Sequence, residues 1–566
     1  MALSQSKLRE ALVESGGISE EQFKDAVNAP SADEVGVANV LIGRGILRDD
    51  QFGQLMATWY GVPFMNLRNE HISEDVLSLI PESFARSHKI LPVKMKEDKL
   101  VVATSEPDDV VLQSMLEKYL RMEISFVYTT PNDIDAHLHV FRRDPKQAFR
   151  AIVDQGDRGE IDTGEMVVEL VEAIIEYAYQ GGASDIHIEP EEEYTVVRFR
   201  EDGILHDIAE LEKSLHEPLL IRLKVLARLA TDEHRRPQDG KISYETEYGE
   251  EVEIRLSVVP STQDQKAVMR LLTEKSRQFS IADLGLHPDD YQTINELIQN
   301  PWGMILVTGP TGSGKTTSLY SMIKVLNKRE VNITTIEDPV EYDLEGVTQI
   351  QVNESADLTF KNGLRSIVRQ DPDIMMVGEI RDVATADIAL NAAMTGHLVF
   401  STLHTNDAAT AFPRLAHMEA EPFLISSTLL GVVAQRLARR VCRGCIQSTE
   451  LNEAEKTAID NAPVVKEYLE EILDVKDVTK STFYKGSGCQ ACNMTGYKGR
   501  VGVFEILEVN DPIRAAVMQG KNADEIRDVA VEEGMTTMLY DGLRKVVTGL
   551  TTLQEVMRVV GEEGIQ

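Results

Sequence analysis

At 566 residues, 42% of them hydrophobic, the chain has material for several cores, and length alone sets an expectation of roughly three or four domains. Its 93 acids against 58 lysines and arginines leave a formal charge of −35, which argues against nucleic acid or an anionic membrane surface as the main partner. No apolar run approaches the roughly 20 residues of a membrane-spanning helix, and the start MALSQSKLREALVES lacks a signal peptide's apolar segment, so the expected location is the cytosol.

The first predicted unit, 1–67, is a helical tandem repeat. ALVESGGISEEQF (11–23) and VLIGRGILRDDQF (40–52) align at an offset of 29, pairing Leu12 with Leu41, Gly16 with Gly45, Ile18 with Leu47 and Phe23 with Phe52. Each copy reads as a helix, a glycine turn, an N-cap-like polar residue and a second helix. Residues 68–142 predict an α/β unit: a short proline-opened helix over 81–89, a hairpin in LPVKMKEDKLVVAT, and helical spacing in VVLQSMLEKYL. The charged stretch 143–163 has no sustained period and predicts a linker. In the next α/β unit, 164–275, a long helix (MVVELVEAIIEYAYQ) precedes ASDIHIEP and TVVRFREDGILHDI, the latter two strands about Asp202 and Gly203. Over 276–566, the short apolar runs MILV, VNITTIED, PDIMMVGE and HLVFSTLH are spaced for intervening helices, as in a parallel sheet covered on both faces.

Chemistry concentrates in that last unit. The strand-like Met304-Ile305-Leu306-Val307 leads into Gly309, Pro310, Thr311, Gly312, Ser313, Gly314, Lys315, Thr316 and Thr317, which fit a nucleotide-binding phosphate loop. Glycines let consecutive N–H groups turn inward around phosphates; Lys315 is expected to reach the β- and γ-phosphates and Thr316 to ligate Mg²⁺. A second apolar run, 374–377, ends in Gly378 and Glu379, and Glu379 is the expected acid near Mg²⁺. In TTIEDPVE, Pro339 should stop strand pairing and leave Glu337, Asp338 and Glu341 on a loop that can hold a water-activating base. His397 and His404 bracket LVFSTL, either as hydrogen-bonding spacers or as γ-phosphate contacts. Cys442, Cys445, Cys489 and Cys492 form two C-x-x-C pairs that suit tetrahedral Zn²⁺, with redox use as the rival.

Taken in order, GPTGSGKTT, TTIEDPVE, RQDPDIMMVGEIRD and TGHLVFSTLHTND resemble the Walker A, Asp box, atypical Walker B and His box of the secretion ATPase superfamily. ASDIHIEP, VVRFREDG and RRPQDGKI resemble its second N-terminal domain. The tetracysteine insertion, about 440–495, and the N-terminal units narrow the resemblance to type IV pilus assembly (extension) ATPases, preferred, and type II secretion ATPases. It implies an α/β fold: a RecA-like P-loop ATPase core preceded by a PAS-like α/β domain and a helical plus α/β N-terminal region. It also implies a homo-hexameric motor using ATP, Mg²⁺ and structural Zn²⁺, held at the inner membrane by a platform protein and associated cytoplasmic assembly proteins. By the same resemblance Glu379 holds Mg²⁺ through water, Glu341 is the general base, His397 and His404 belong to the site, and Arg200 and Arg222 compensate charge. Arg235, Arg236, Arg255 and Arg270 are further arginine candidates. The N-terminal repeat resembles a module that binds cyclic di-GMP, although its Arg-Leu-Gly starts read Lys7-Leu8-Arg9 and Gly36-Val37-Ala38, and its glutamine positions hold Pro30 and Trp59.

Overall fold

The computed structural model describes residues 8–14, 17–27, 37, 41, 47, 49–67, 70, 72–96, 98–137, 145–159, 161–247, 249–272, 279–489 and 492–561. They divide into two compact units: 1–147 with 440–449 and 483–499, and 148–439 with 450–482 and 500–566. No helix among the described residues is long and apolar enough to cross a membrane.

In the first unit the tandem repeat is a repeat of burial. Leu8, Leu12, Ile18 and Phe23 are buried, and so are Val37, Leu41, Leu47 and Phe52, each 29 positions on. One backbone bond recurs at the same offset: Ile18 N–H to Leu12 O at 3.1 Å and Leu47 N–H to Leu41 O at 3.4 Å. The turn glycines Gly16 and Gly45, and Lys7, Gly36, Ala38 and Pro30, lie outside the described residues. Beyond the repeat, β1 (Ile90–Lys96) and β2 (Lys99–Thr104) form the expected hairpin. β3 (Glu123–Tyr128) runs parallel to β2, which requires a crossover, and the helix Val110–Leu120 supplies it. Asp109 caps that helix, accepting from Leu112 N–H at 2.9 Å.

The second unit begins with a correction. Residues 143–163, expected as a linker, contain the helix Pro145–Asp157, whose Phe149 and Ile152 are buried against the helix Thr163–Gly181. Its apolar face is narrow and lies among charges, yet Phe149 meets Tyr177 edge-on at 5.5 Å and anchors it. Strands β4 (Asp185–Pro190), β5 (Tyr194–Glu201), β6 (Ile204–Glu212), β7 (Gln238–Glu245), β8 (Glu251–Pro260) and β9 (Gln265–Leu272) form an antiparallel sheet ordered β6-β5-β4-β9-β8-β7. Asp202 and Gly203, both with positive φ, make the tight β5–β6 turn. Alternation puts Ile186, Phe199, Ile254, Leu256 and Met269 into the core, while Asp185, Arg200, Arg255 and Arg270 share the other face.

The same unit holds a seven-stranded sheet. Its members are β10 (Gly303–Thr308), β11 (Ile333–Glu337), β12 (Thr348–Gln351), β13 (Ile374–Val377), β14 (Leu398–Leu403), β15 (Leu429–Val441) and, after the short antiparallel pair β16 (Ile446–Thr449) and β17 (Phe483–Gly486), β18 (Tyr497–Glu508). The order is β12-β11-β13-β14-β10-β15-β18, and β10 to β14 pair in parallel. Strands β10, β11, β13 and β14 are buried throughout, as a parallel sheet covered on both faces requires. Register aligns their carboxyl ends, Thr308 with Leu403 and Val377 with Ser401, so the loops that follow gather at one edge.

Candidate nucleotide site and metal centre

From β10 the chain turns through residues 309–314 into the helix Lys315–Leu326. Gly309, Gly312 and Gly314 adopt φ of 143°, 79° and 90°, conformations that favour glycine and that let backbone N–H groups form a nest. Lys315 Nζ donates to Gly309 O at 2.8 Å and Pro310 O at 3.1 Å, folding over the loop. Burial lowers its pKa, with the charge of Glu379 opposing. Ser313 is buried, and its Oγ has no hydrogen-bond partner among the described residues. A glycine nest, a helix N-terminus, a lysine and an orphaned hydroxyl together fit a bound polyphosphate; Thr316 and Thr317, half-buried, open the helix.

β13 delivers Glu379 to the same edge. Its Oε1 lies 2.5 Å from Arg381 Nη2, and its Oε2 lies 3.3 Å from Nε2 of His404, the residue after β14. Gly378, just before Glu379, is closely packed: a Cβ there would be 3.3 Å from both Glu337 Cα and Ile336 O. The other histidine is elsewhere. His397 precedes β14, seven positions and roughly 23 Å of extended chain from His404, and its Nδ1 contacts Ala392 O at 2.9 Å near the end of the helix Val383–Met394. Of the two, structure assigns His397 a helix-end contact and brings only His404 to the acid.

The loop after β11 carries Glu341, and its partner is an arginine of the other sheet. Arg255 Nη1 donates to Glu341 Oε2 at 3.0 Å, and Arg255 Nη2 donates to Val340 O. The two arginines singled out from sequence are paired differently: Arg200 with Asp185 (3.7 Å) and Gly203 O (2.9 Å), Arg222 with Glu172 (3.7 Å). Arg255 could have been ranked higher on one signal, the alternation of β8, which sends Val252, Ile254 and Leu256 inward and the charges at 251, 253 and 255 to the far face. Glu337 is also displaced from its expected place on a loop. It ends β11, is 2% exposed, and accepts from Tyr320 Oη, from Thr335 Oγ1 at 2.5 Å and from Gln349 Nε2 at 3.2 Å. Burial raises its pKa against those three donors.

The cysteines converge. All four Sγ atoms lie within 4.8 Å of one another, with Cys442–Cys489 and Cys445–Cys492 at 3.8 Å and Cys489–Cys492 at 3.7 Å. A tetrahedral ion with bonds of about 2.3 Å sets sulfurs about 3.8 Å apart, so the donor set fits Zn²⁺, whereas a disulfide needs about 2.05 Å. N–H groups of Cys489 and Gly496 point at Cys492 Sγ (3.2 and 3.3 Å), a contact suited to a thiolate.

A family model described as Type II/IV secretion system protein matches residues 160–558, spanning both sheets of the second unit. The chain belongs to that family. This secretion ATPase is 37% identical to the type IV pilus assembly ATPase PilB of Myxococcus xanthus over 566 residues, covering 97% of this chain and 98% of the relative. It is 40% identical over 440 residues to the type II secretion system ATPase E of Vibrio cholerae, covering 75% of this chain and 84% of that one. Among solved structures the ATPase DotB of Yersinia pseudotuberculosis superposes with a TM-score of 0.50 at 19% identity, covering 69% of this chain and 93% of DotB, which supports the fold. A second model, described as MshEN domain, matches residues 60–148, the region of β1 to β3 more than the tandem repeat.

Proposed function

We propose that this ATPase is a hexameric motor that hydrolyses ATP to drive type IV pilus assembly through an inner-membrane platform protein and its associated assembly proteins. The observation that carries the reading is the single sheet edge at which the phosphate loop, Glu379, His404 and Glu341 each follow a parallel strand, with Arg255 reaching Glu341 from the antiparallel sheet. The near end-to-end match to a pilus assembly ATPase supports the process. In hydrolysis, water attacks the γ-phosphorus, the bond to the β–γ bridging oxygen breaks, and ADP departs with that electron pair while Glu341 takes the water's proton. Lys315 and the loop N–H groups hold the phosphates, and Arg255 and His404 bring further donors to the edge. Mg²⁺, when bound, neutralises charge on the β- and γ-oxygens, and Thr316 and Glu379, the latter through water, are the residues to hold it. The four cysteines hold a structural Zn²⁺ that closes the insertion between β15 and β18.

The remaining assignments belong to the same proposal. The proposed domains are 1–67, 68–142, 164–275 and 276–566, with 143–163 joining the second to the third; the protein works in the cytoplasm at the inner membrane, and cyclic di-GMP is the candidate ligand of the tandem repeat, 1–67, although its contact positions are altered. A second reading, type II secretion, is favoured by 44% identity over 396 residues to the secretion protein HxcR of Pseudomonas aeruginosa. Phosphate release from Mg·ATP by the assembled protein tests the enzyme, with Lys315→Ala and Glu379→Gln expected to abolish turnover; an inactive wild-type hexamer would count against it. A deletion strain decides the process, by loss of surface pili or loss of exoprotein export.

A further inference from the structure

β15 passes behind the phosphate loop, paired in parallel with β10 through Thr308 and Ala434. The next side chain along it, Gln435, grips the loop twice. Its Nε2 donates to Ser313 O at 2.7 Å, inside the loop, and its Oε1 accepts from Ser318 Oγ at 2.7 Å, on the helix that follows. Gln435 is 2% exposed and Ser318 1%, so both bonds are made away from bulk solvent and losing either strands a buried polar group. The contact is also close: a Cβ on Gly309 would lie 2.4 Å from Gln435 O, and one on Gly314 would lie 3.1 Å from its Nε2.

A phosphate nest turns its N–H groups inward, so its carbonyls turn outward and need donors from behind. Lys315 serves Gly309 and Pro310, but its ammonium must leave them to reach phosphate. Gln435 serves Ser313 and touches no site the nucleotide would fill. The neutral amide donates to the carbonyl and accepts from the hydroxyl at once; an ionised carboxylate cannot donate, and an apolar chain can do neither. The strand holding it is anchored to the helix Leu553–Val560, where Arg436 Nη1 donates to Val559 O and Arg439 Nη2 donates to Glu555 Oε1 at 2.5 Å.

We propose that Gln435 is a positioning residue for nucleotide binding, fixing the phosphate loop in its anion-ready shape through Ser313 and Ser318. This rests on the reading of residues 309–317 as the ATP site. The test is steady-state hydrolysis of Mg·ATP by the full chain, comparing wild type with Lys315→Ala, Gln435→Met, Gln435→Glu and Ser318→Ala, with thermal melting in parallel. Gln435→Met should raise KM for ATP about tenfold and Gln435→Glu more, because a buried carbonyl loses its donor, while kcat stays within about threefold. Ser318→Ala, which leaves the Ser313 bond, should give a smaller rise. Should Gln435→Glu fail to fold, Gln435→Met carries the test. Variants that melt earlier or lose active fraction with KM unchanged overturn the proposal, as do variants with wild-type KM and stability. If Lys315→Ala hydrolyses like wild type, the ATP-site reading has failed, a result separate from any change at position 435.

Discussion

Arg255 and Glu341 are 86 positions apart in sequence and meet at 3.0 Å, tying the antiparallel sheet to the loop that follows β11. The pair is part-buried, Arg255 19% and Glu341 31% exposed, and the same guanidinium also holds the backbone at Val340. Removing the arginine therefore frees the loop as well as the carboxylate. Arg255→Gln should lower kcat about tenfold to a hundredfold, and Glu341→Gln should lower it further with little change in KM, since a base acts in the transition state. Phosphate-release kinetics on both variants check this; a Glu341→Gln enzyme with wild-type kcat would remove Glu341 from the role of base.

Tyr320 ties the helix of the phosphate loop to the end of β11. Its hydroxyl donates to Glu337, its ring meets Tyr342 edge-on at 4.7 Å, and Gln349 Nε2 reaches Glu337, Tyr320 Oη and Tyr342 O. Tyr320→Phe leaves a buried carboxyl short of one donor and should destabilise the chain by about 1–3 kcal/mol. Denaturant unfolding measures it, and a loss under a few tenths would show the network relaxing around the gap.

What the sequence made legible were features carried locally. The apolar strands β10, β11, β13 and β14 read correctly because a buried parallel strand announces itself by composition, and the cysteine pairs by spacing. What it hid depends on distant partners or on strand direction. His397 and His404 look equivalent around LVFSTL, but a strand has two ends and only one faces the phosphate loop. Glu337 looks like a loop acid because Pro339 follows, yet Tyr320, Thr335 and Gln349 close over it. The helix Pro145–Asp157 was obscured because its few apolar residues serve one face only, among Lys146, Arg150, Asp154 and Asp157.

The cysteine cluster predicts a metal count and a stability change. Purified protein should carry about one Zn²⁺ per chain by elemental analysis, and Cys442→Ser should lose it. Chelation should lower the melting temperature and expose thiols to alkylation. Because the four Sγ atoms lie within 4.8 Å, a metal-free preparation whose thiols oxidise to disulfides without loss of stability would favour the redox reading.

Asp290 supplies a pH prediction. It sits in the first turn of the helix Pro288–Ile298, where its pKa is pushed up from 3.8 to about 6, first by burial and then by the charge of Asp541. Lys545 and Arg544 oppose that rise and Asp289 adds to it. Lys545 is itself bound to Asp541 at 2.5 Å, which limits what it can offer Asp290. A carboxyl that holds its proton more tightly when folded favours folding at low pH, and that contribution is lost as pH rises through about 6. Asp290→Asn carries no such proton. Relative to wild type it should therefore gain stability between pH 4 and pH 7, by about 1–2 kcal/mol once partial solvent screening is allowed for. Paired melts across that range read the difference directly: an offset that widens with pH supports the shifted carboxyl, and one that stays flat or narrows contradicts it.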